Sequence, residues 1–175
     1  MTAALLCLAV SACTNGVKSD PGLLDRIDAD LSRYNESVFT AAGLTRRYAG
    51  ATTLDYSVQH GTQVEHMASD GRAYLWYPGN QRVVTGEWRT ETDARGSGRI
   101  CFRYGRSTFN PVTGQRGGSW NCVRAADFIW AEEEYTTGDP FGLSSGAIPF
   151  VMPREKKLTF KALTKPLGIT VTPYL

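Results

Sequence analysis

From Tyr48 onward, turn signals recur at intervals of roughly ten residues, which leaves room only for short strands between them. Ser69-Asp70-Gly71, Pro78-Gly79-Asn80 and the charged, glycine-rich stretch 93–98 are such punctuation. The intervening runs are rich in β-branched and aromatic residues. They predict six strands, at 52–59, 63–68, 72–77, 82–90 (bent at Gly86), 99–104 and 119–124. Strands joined by tight turns pair antiparallel. The expected fold is therefore mainly β, an antiparallel meander that closes into a barrel-like or strongly twisted sheet. Eighteen glycines, eight Tyr, seven Phe and four Trp suit such a glycine-turned, aromatic-rich scaffold.

The flanks read less regularly. Asp20-Pro21 opens an N-terminal helix, with Asp20 or Ser19 as cap and Pro21 at the first helical position. Leu24, Ile27, Leu31 and Tyr34 follow as an apolar stripe of helical period. That helix fades near Asn35, and residues 37–42 add at most a turn before Gly43 breaks it. After the sixth strand, residues 125–130 either extend it or start a helical turn. Glu132-Glu133-Glu134 reads as a solvated acidic face. Segments 148–152 and 158–163 are candidate strands, and 169–172 is an edge strand or part of a trailing tail.

The first residues carry a different kind of information. A short apolar run ends in Val10-Ser11-Ala12-Cys13. This resembles the lipobox of bacterial lipoproteins, where a peptidase cuts before the cysteine and the cysteine is acylated. The resemblance implies a lipid attachment at Cys13. It also implies a domain plan: signal peptide 1–12, lipidated tether 13–19, a single domain 20–164 and a C-terminal tail 165–175. Thr14 stands where an Asp tends to retain such proteins at the inner membrane, so the implied location is the periplasmic face of the outer membrane. Several acyl chains give firm anchorage where one is marginal. The six tether residues after Cys13 reach at most roughly 20 Å, which keeps the domain near the bilayer.

In that oxidising compartment Cys101 and Cys122 form an even pair, each within a predicted strand. Pairing those strands as a hairpin sets the two cysteines opposite each other, within reach of a cross-strand disulfide. There is no Cys-x-x-Cys, and no histidine lies near either cysteine, so a redox dithiol or metal pair is the poorer reading. His60 and His66 are six apart, a spacing that matches no helical metal pair, though a turn could gather them with Asp55 or Glu65. No metal site, cofactor motif or catalytic constellation is expected. Ser144-Ser145-Gly146 lacks a nucleophile elbow, and three adjacent glutamates rarely converge as paired catalytic acids. A net charge of +2 is too mild for nucleic-acid binding.

Two features invite binding. The first is the aromatic set Trp76, Tyr77, Trp88, Phe102, Tyr104 and Trp120, with Arg72, Arg103 and Arg116 nearby. These rings fill a core or line a pocket, and Trp76, Trp88, Arg103 and Trp120 are the candidate ligand contacts. The second is the long polar loop 105–118 on a β scaffold, where binding often resides.

Asp70-Gly71, Gly86-Glu87-Trp88, Ile100-Cys101-Phe102 and Trp120-Asn121-Cys122 together resemble a loose group of small bacterial envelope proteins. In these an aspartyl-glycine turn, a Gly-x-Trp strand and a two-cysteine hairpin recur. The resemblance implies a fold and no particular activity. The functional expectation is a non-enzymatic binding or envelope-interaction module, held at the membrane by its lipid and partnered by an envelope protein. The alternatives are a carrier with a small hydrophobic ligand inside the barrel and, behind it, a cell-wall hydrolase using Asp70 and Glu132 to Glu134.

Overall fold

The computed structural model describes residues 34–174. The lipobox, the tether and most of the helix expected from Asp20 lie outside the described residues. A 3-10 turn (Glu36–Phe39) leads into helix α1 (Ala41–Tyr48), then strands β1 (Ala51–Ser57), β2 (Gly61–Met67), β3 (Arg72–Trp76), β4 (Val84–Thr92), β5 (Gly98–Tyr104) and β6 (Asn121–Arg124). Helix α2 (Ala125–Ala131), strand β7 (Glu132–Thr137) and a short helix α3 (Phe160–Thr164) follow. One antiparallel sheet holds all seven strands in the order β6-β5-β4-β3-β2-β1-β7, curled into a half-barrel. The six-strand meander follows the spacing of turns. The seventh strand returns along the far side of β1.

Strand alternation gives the sheet two faces. The inner face carries Thr53, Asp55, Gln63, Glu65, Leu75, Val84, Phe102 and Tyr104, as the registers Thr53↔Glu65, Glu65↔Leu75, Leu75↔Val84 and Trp88↔Phe102 require. Its curl is visible in one contact. The Tyr104 hydroxyl of β5 donates to Glu65 Oε2 of β2 at 2.5 Å, across three strand spacings that a flat sheet would hold roughly 14 Å apart. Toward one end of this face α1 and α2 close a core of Leu44, Tyr48, Met67, Trp88, Ile100 and Ile129.

On the outer face Leu54, Val64, Tyr74 and Trp76 pack under Phe141, Leu143, Met152, Phe160 and Leu163 from the chain after β7. The outer face of β4 and β5 is polar, with Glu87, Arg89, Arg99 and Arg103.

Several local expectations are corrected. Gly43 does not break a helix but lies inside α1, because a Cβ there would stand 1.9 Å from the Ser37 carbonyl oxygen of the preceding turn. Thr40 caps α1, its side chain accepting from Gly43 N at 3.0 Å. Residues 125–131 are helical, the second of the two expected readings. The acidic run is not a solvated face but the start of β7, paired with β1. Segment 148–152 forms no strand. It is held instead by the Trp76 indole N–H, which donates to the Phe150 carbonyl at 3.0 Å. The apolar spacing within 158–163 belongs to α3, with Thr159 as cap and Phe160 and Leu163 one turn apart on its buried side. The tail makes a single bridge, Tyr174 N to Tyr135 O at 2.7 Å, rather than an edge strand. Cys101 faces Cys122 in the β5–β6 register, with the sulfur atoms at bonding distance, 2.04 Å.

Candidate functional site

Beyond the packed end, the inner face opens into a cavity of about 610 Å³. Four strands build its floor. Asp55 of β1 pairs with Gln63 of β2 on one side and with Glu132 of β7 on the other, so these three polar residues form one row. Thr53, Glu65 and Leu75 form the next row. A β-bulge between Leu54 and Asp55 shifts the β7 register, and this shift turns Glu132 to the inner face. The Gln63 amide donates to Asp55 Oδ2 at 2.9 Å. At the back, Arg47 of α1 donates to Glu132 Oε1 at 2.5 Å, and its guanidinium lies 4.2 Å from the centre of the Tyr135 ring.

Aromatic rings make one wall. Phe102 stacks parallel to Tyr104 at 6.4 Å and contacts Phe128 of α2 at 5.9 Å. The ring of Tyr104 can pass across β4 only because Gly86 lies beneath it, since a Cβ at Gly86 would stand 2.6 Å from a Tyr104 ring carbon. The loop 105–118 supplies the opposite lip through Thr108, Phe109, Asn110, Gln115 and Arg116. It is an ordered wall. Phe109 bridges Arg116, and the Asn110 side chain accepts from the amides of Val112 and Thr113 at 2.9 and 3.0 Å. His60, hydrogen-bonded to the Tyr77 hydroxyl at 2.9 Å, and Arg154 complete the mouth.

Electrostatically the floor is unusual. Burial pushes the Glu65 carboxyl up to about 8, and the nearby Asp55 adds to the rise. The Tyr104 hydroxyl opposes it, as does the Tyr74 amide, which lies near without closing a hydrogen bond. Burial likewise lifts Asp55 to about 7 against the bond from Gln63. Glu132 is raised by burial and held back by Arg47. Burial lowers His60. Glu65 is 7% exposed, and its Oε1 atom accepts no hydrogen bond. Such an oxygen costs free energy until a donor reaches it. The cavity therefore offers an unmet hydrogen-bonding group at its floor and apolar rings along its side.

The residues singled out in the sequence divide sharply. Of the four candidate ligand contacts, none lines the cavity. Trp76 fills the outer cluster, and Trp88 sits in the packed end with its indole N–H on the Ala68 carbonyl at 2.8 Å. Arg103 and Trp120 lie on the outer face, where Trp120 is flanked by Arg89 and Arg103 at 4.2 and 4.7 Å and Arg103 pairs with Glu87. Their neighbours in the aromatic set, Tyr77, Phe102 and Tyr104, do line it, and so does Arg116. His66 points to the outer face, bonded to Thr52 and the Ala51 carbonyl, so the two histidines never meet. Asp55 and Glu65 do share the cavity with His60.

The acids proposed for hydrolysis scatter. Asp70 pairs with exposed Arg72, Glu133 with Lys157, and Glu134 accepts from the Phe160 amide. The missed signal was the i, i+2 polar pairs Thr53/Asp55 and Gln63/Glu65, which mark one face of adjacent strands. No protein-family model, curated protein or solved structure matches this chain.

Proposed function

We propose that this protein is a non-enzymatic binding module of the bacterial envelope, lipid-anchored through Cys13 at the periplasmic face of the outer membrane, which holds a small ligand in the inner-face cavity. The observation that carries the reading is the cavity itself. At about 610 Å³ it falls within the range of roughly 300–1,000 Å³ typical of small-molecule sites. Its lining combines apolar rings with a few convergent polar groups, the usual composition of such a site. The long loop and the cavity were separate expectations in the sequence. In the fold they are one feature, since 105–118 forms the lip.

The test is native mass spectrometry of the protein gently extracted from its own membranes. A bound small molecule, beyond the mass of the acyl groups, is the expected finding. Val84→Trp, which fills the cavity from β4, should lose that mass. So should replacement of 105–118 by a short turn. A ligand retained by both variants overturns the reading.

A second reading rests on the same floor. Two buried carboxyls near 7 and 8 are poised for proton transfer, as in acid–base enzymes. It predicts that the co-purified molecule is converted on incubation with the wild-type protein and left unchanged by Asp55→Asn.

A further inference from the structure

The cavity reading leaves the class of ligand open, and the floor narrows it. Glu65, Asp55 and Glu132 all face the space, and among the described residues the only cation bonded to any of them is Arg47, which serves Glu132. Glu65 Oε2 takes the Tyr104 hydroxyl, and Asp55 Oδ2 takes the Gln63 amide. Glu65 Oε1 is buried without a donor just beneath the surface of the cavity that its residue lines, so a donor meets it when the carboxyl turns toward the space. The positive groups that face the space, Arg116 and Arg154, stand at the mouth with His60 and do not bond these acids. Beside the floor stand the rings of Phe102, Tyr104 and Phe128, and aromatic faces attract cations.

We propose that the cavity takes an organic cation, a protonated amine with an apolar body, seated with its N–H groups on Glu65 Oε1 and the Asp55 carboxylate and its body against Phe102 and Phe128. The inference rests on the cavity being the binding site.

Proton balance follows from the chemistry. The empty site holds Glu65 largely as the neutral acid at pH 7. Seating an ammonium favours both carboxylates, so the Glu65 proton, and below about pH 7 the Asp55 proton with it, leave to the buffer as the ion pairs form. Asp55, Gln63, Tyr104 and the Tyr74 amide are the groups that face Glu65, and Tyr104 and Gln63 stay neutral throughout. Affinity for the ammonium should therefore climb with pH by up to about a hundredfold per unit below pH 7, where both acids give up a proton, and by up to about tenfold per unit from there until Glu65 ionises by itself near 8.

The test uses three probes of matched shape, 4-phenylbutylamine, 4-phenylbutanol and 4-phenylbutyrate, titrated calorimetrically into the purified full chain at pH 6 and pH 8. Phosphate and MOPS buffers, which differ in ionisation heat, count the protons released. The amine should bind tightest, gain at least about tenfold from pH 6 to pH 8 and release nearly two protons at pH 6 and about half a proton at pH 8. Glu65→Gln should weaken the amine at least about tenfold and remove about one proton of the release at pH 6 while leaving the alcohol unchanged. Asp55→Asn should weaken the amine alone and leave only the Glu65 part of the pH dependence. If the butyrate binds as well as the amine, the cation assignment falls and the cavity reading stands. If no probe binds at either pH, both fall.

Discussion

Glu65 and Asp55 hold their protons more tightly in the folded chain, near 8 and 7, than an unfolded carboxyl does near 4. Between those limits the native state keeps protons that the unfolded chain has already released. Raising the pH through that window therefore favours unfolding. Stability should fall by on the order of 5 kcal/mol from pH 5 to pH 8, about 3 of it through Glu65 and about 2 through Asp55. At this chain length that is a drop in Tm of about 10–20 °C, readable by thermal denaturation followed by circular dichroism. His60, held low by burial, pulls the other way as pH falls below its unfolded value of about 6.5 and flattens the gain on the acid side. Glu65→Gln should remove most of the alkaline slope. A slope as steep as wild type would mean that Glu65 ionises normally. None of this is legible in composition, because it needs to be known which face of β2 is inside. Glu65 and His66 are adjacent letters on opposite sides of the sheet.

At the scale of elements, legibility followed the source of the signal. The strands from β1 to β6 are announced by local turn chemistry, and they appear within a few residues of where the turns place them. Gly43, residues 158–163 and the acidic run depart from their local signals because tertiary contacts decide them. A helix interior normally prefers Ala over Gly by about 1 kcal/mol. Gly43→Ala should nevertheless destabilise the protein by about 2–3 kcal/mol, because its Cβ would collide with the Ser37 carbonyl. Urea denaturation reads this directly, and a stabilised variant would disprove the close approach. The three glutamates show the same dependence on contacts, as the bulge gives each a different partner: Arg47, Lys157 and the Phe160 amide. β6 is four residues long and is paired on one side only, so the Cys101–Cys122 link holds a weak edge. Replacing both cysteines by serine should cost about 3 kcal/mol. It should also loosen the cavity wall that Phe102, Asn121 and Val123 provide. A urea midpoint equal to wild type, with or without reductant, would show the link to be dispensable.

Seen as a whole, the molecule is a single sheet with an apolar cluster on each side. One is closed by α1 and α2, the other by the chain after β7. The sequence announces the sheet but not the second cover, since residues 138–167 lack any regular period and bury their rings one at a time. Each cluster contains one tryptophan, Trp88 on the inner side and Trp76 on the outer. The other two report on surroundings, with Trp130 exposed and Trp120 flanked by two arginines. The chain thus has a natural optical probe for each half of its interior. With Trp120 and Trp130 changed to phenylalanine, variants keeping only Trp76 or only Trp88 would give two emission curves on heating. Coincident curves would mean that the two covers and the shared sheet melt as one cooperative unit. If the Trp76 signal changed first, the long cover after β7 would be a separable lid that peels away while the ligand-facing side remains intact.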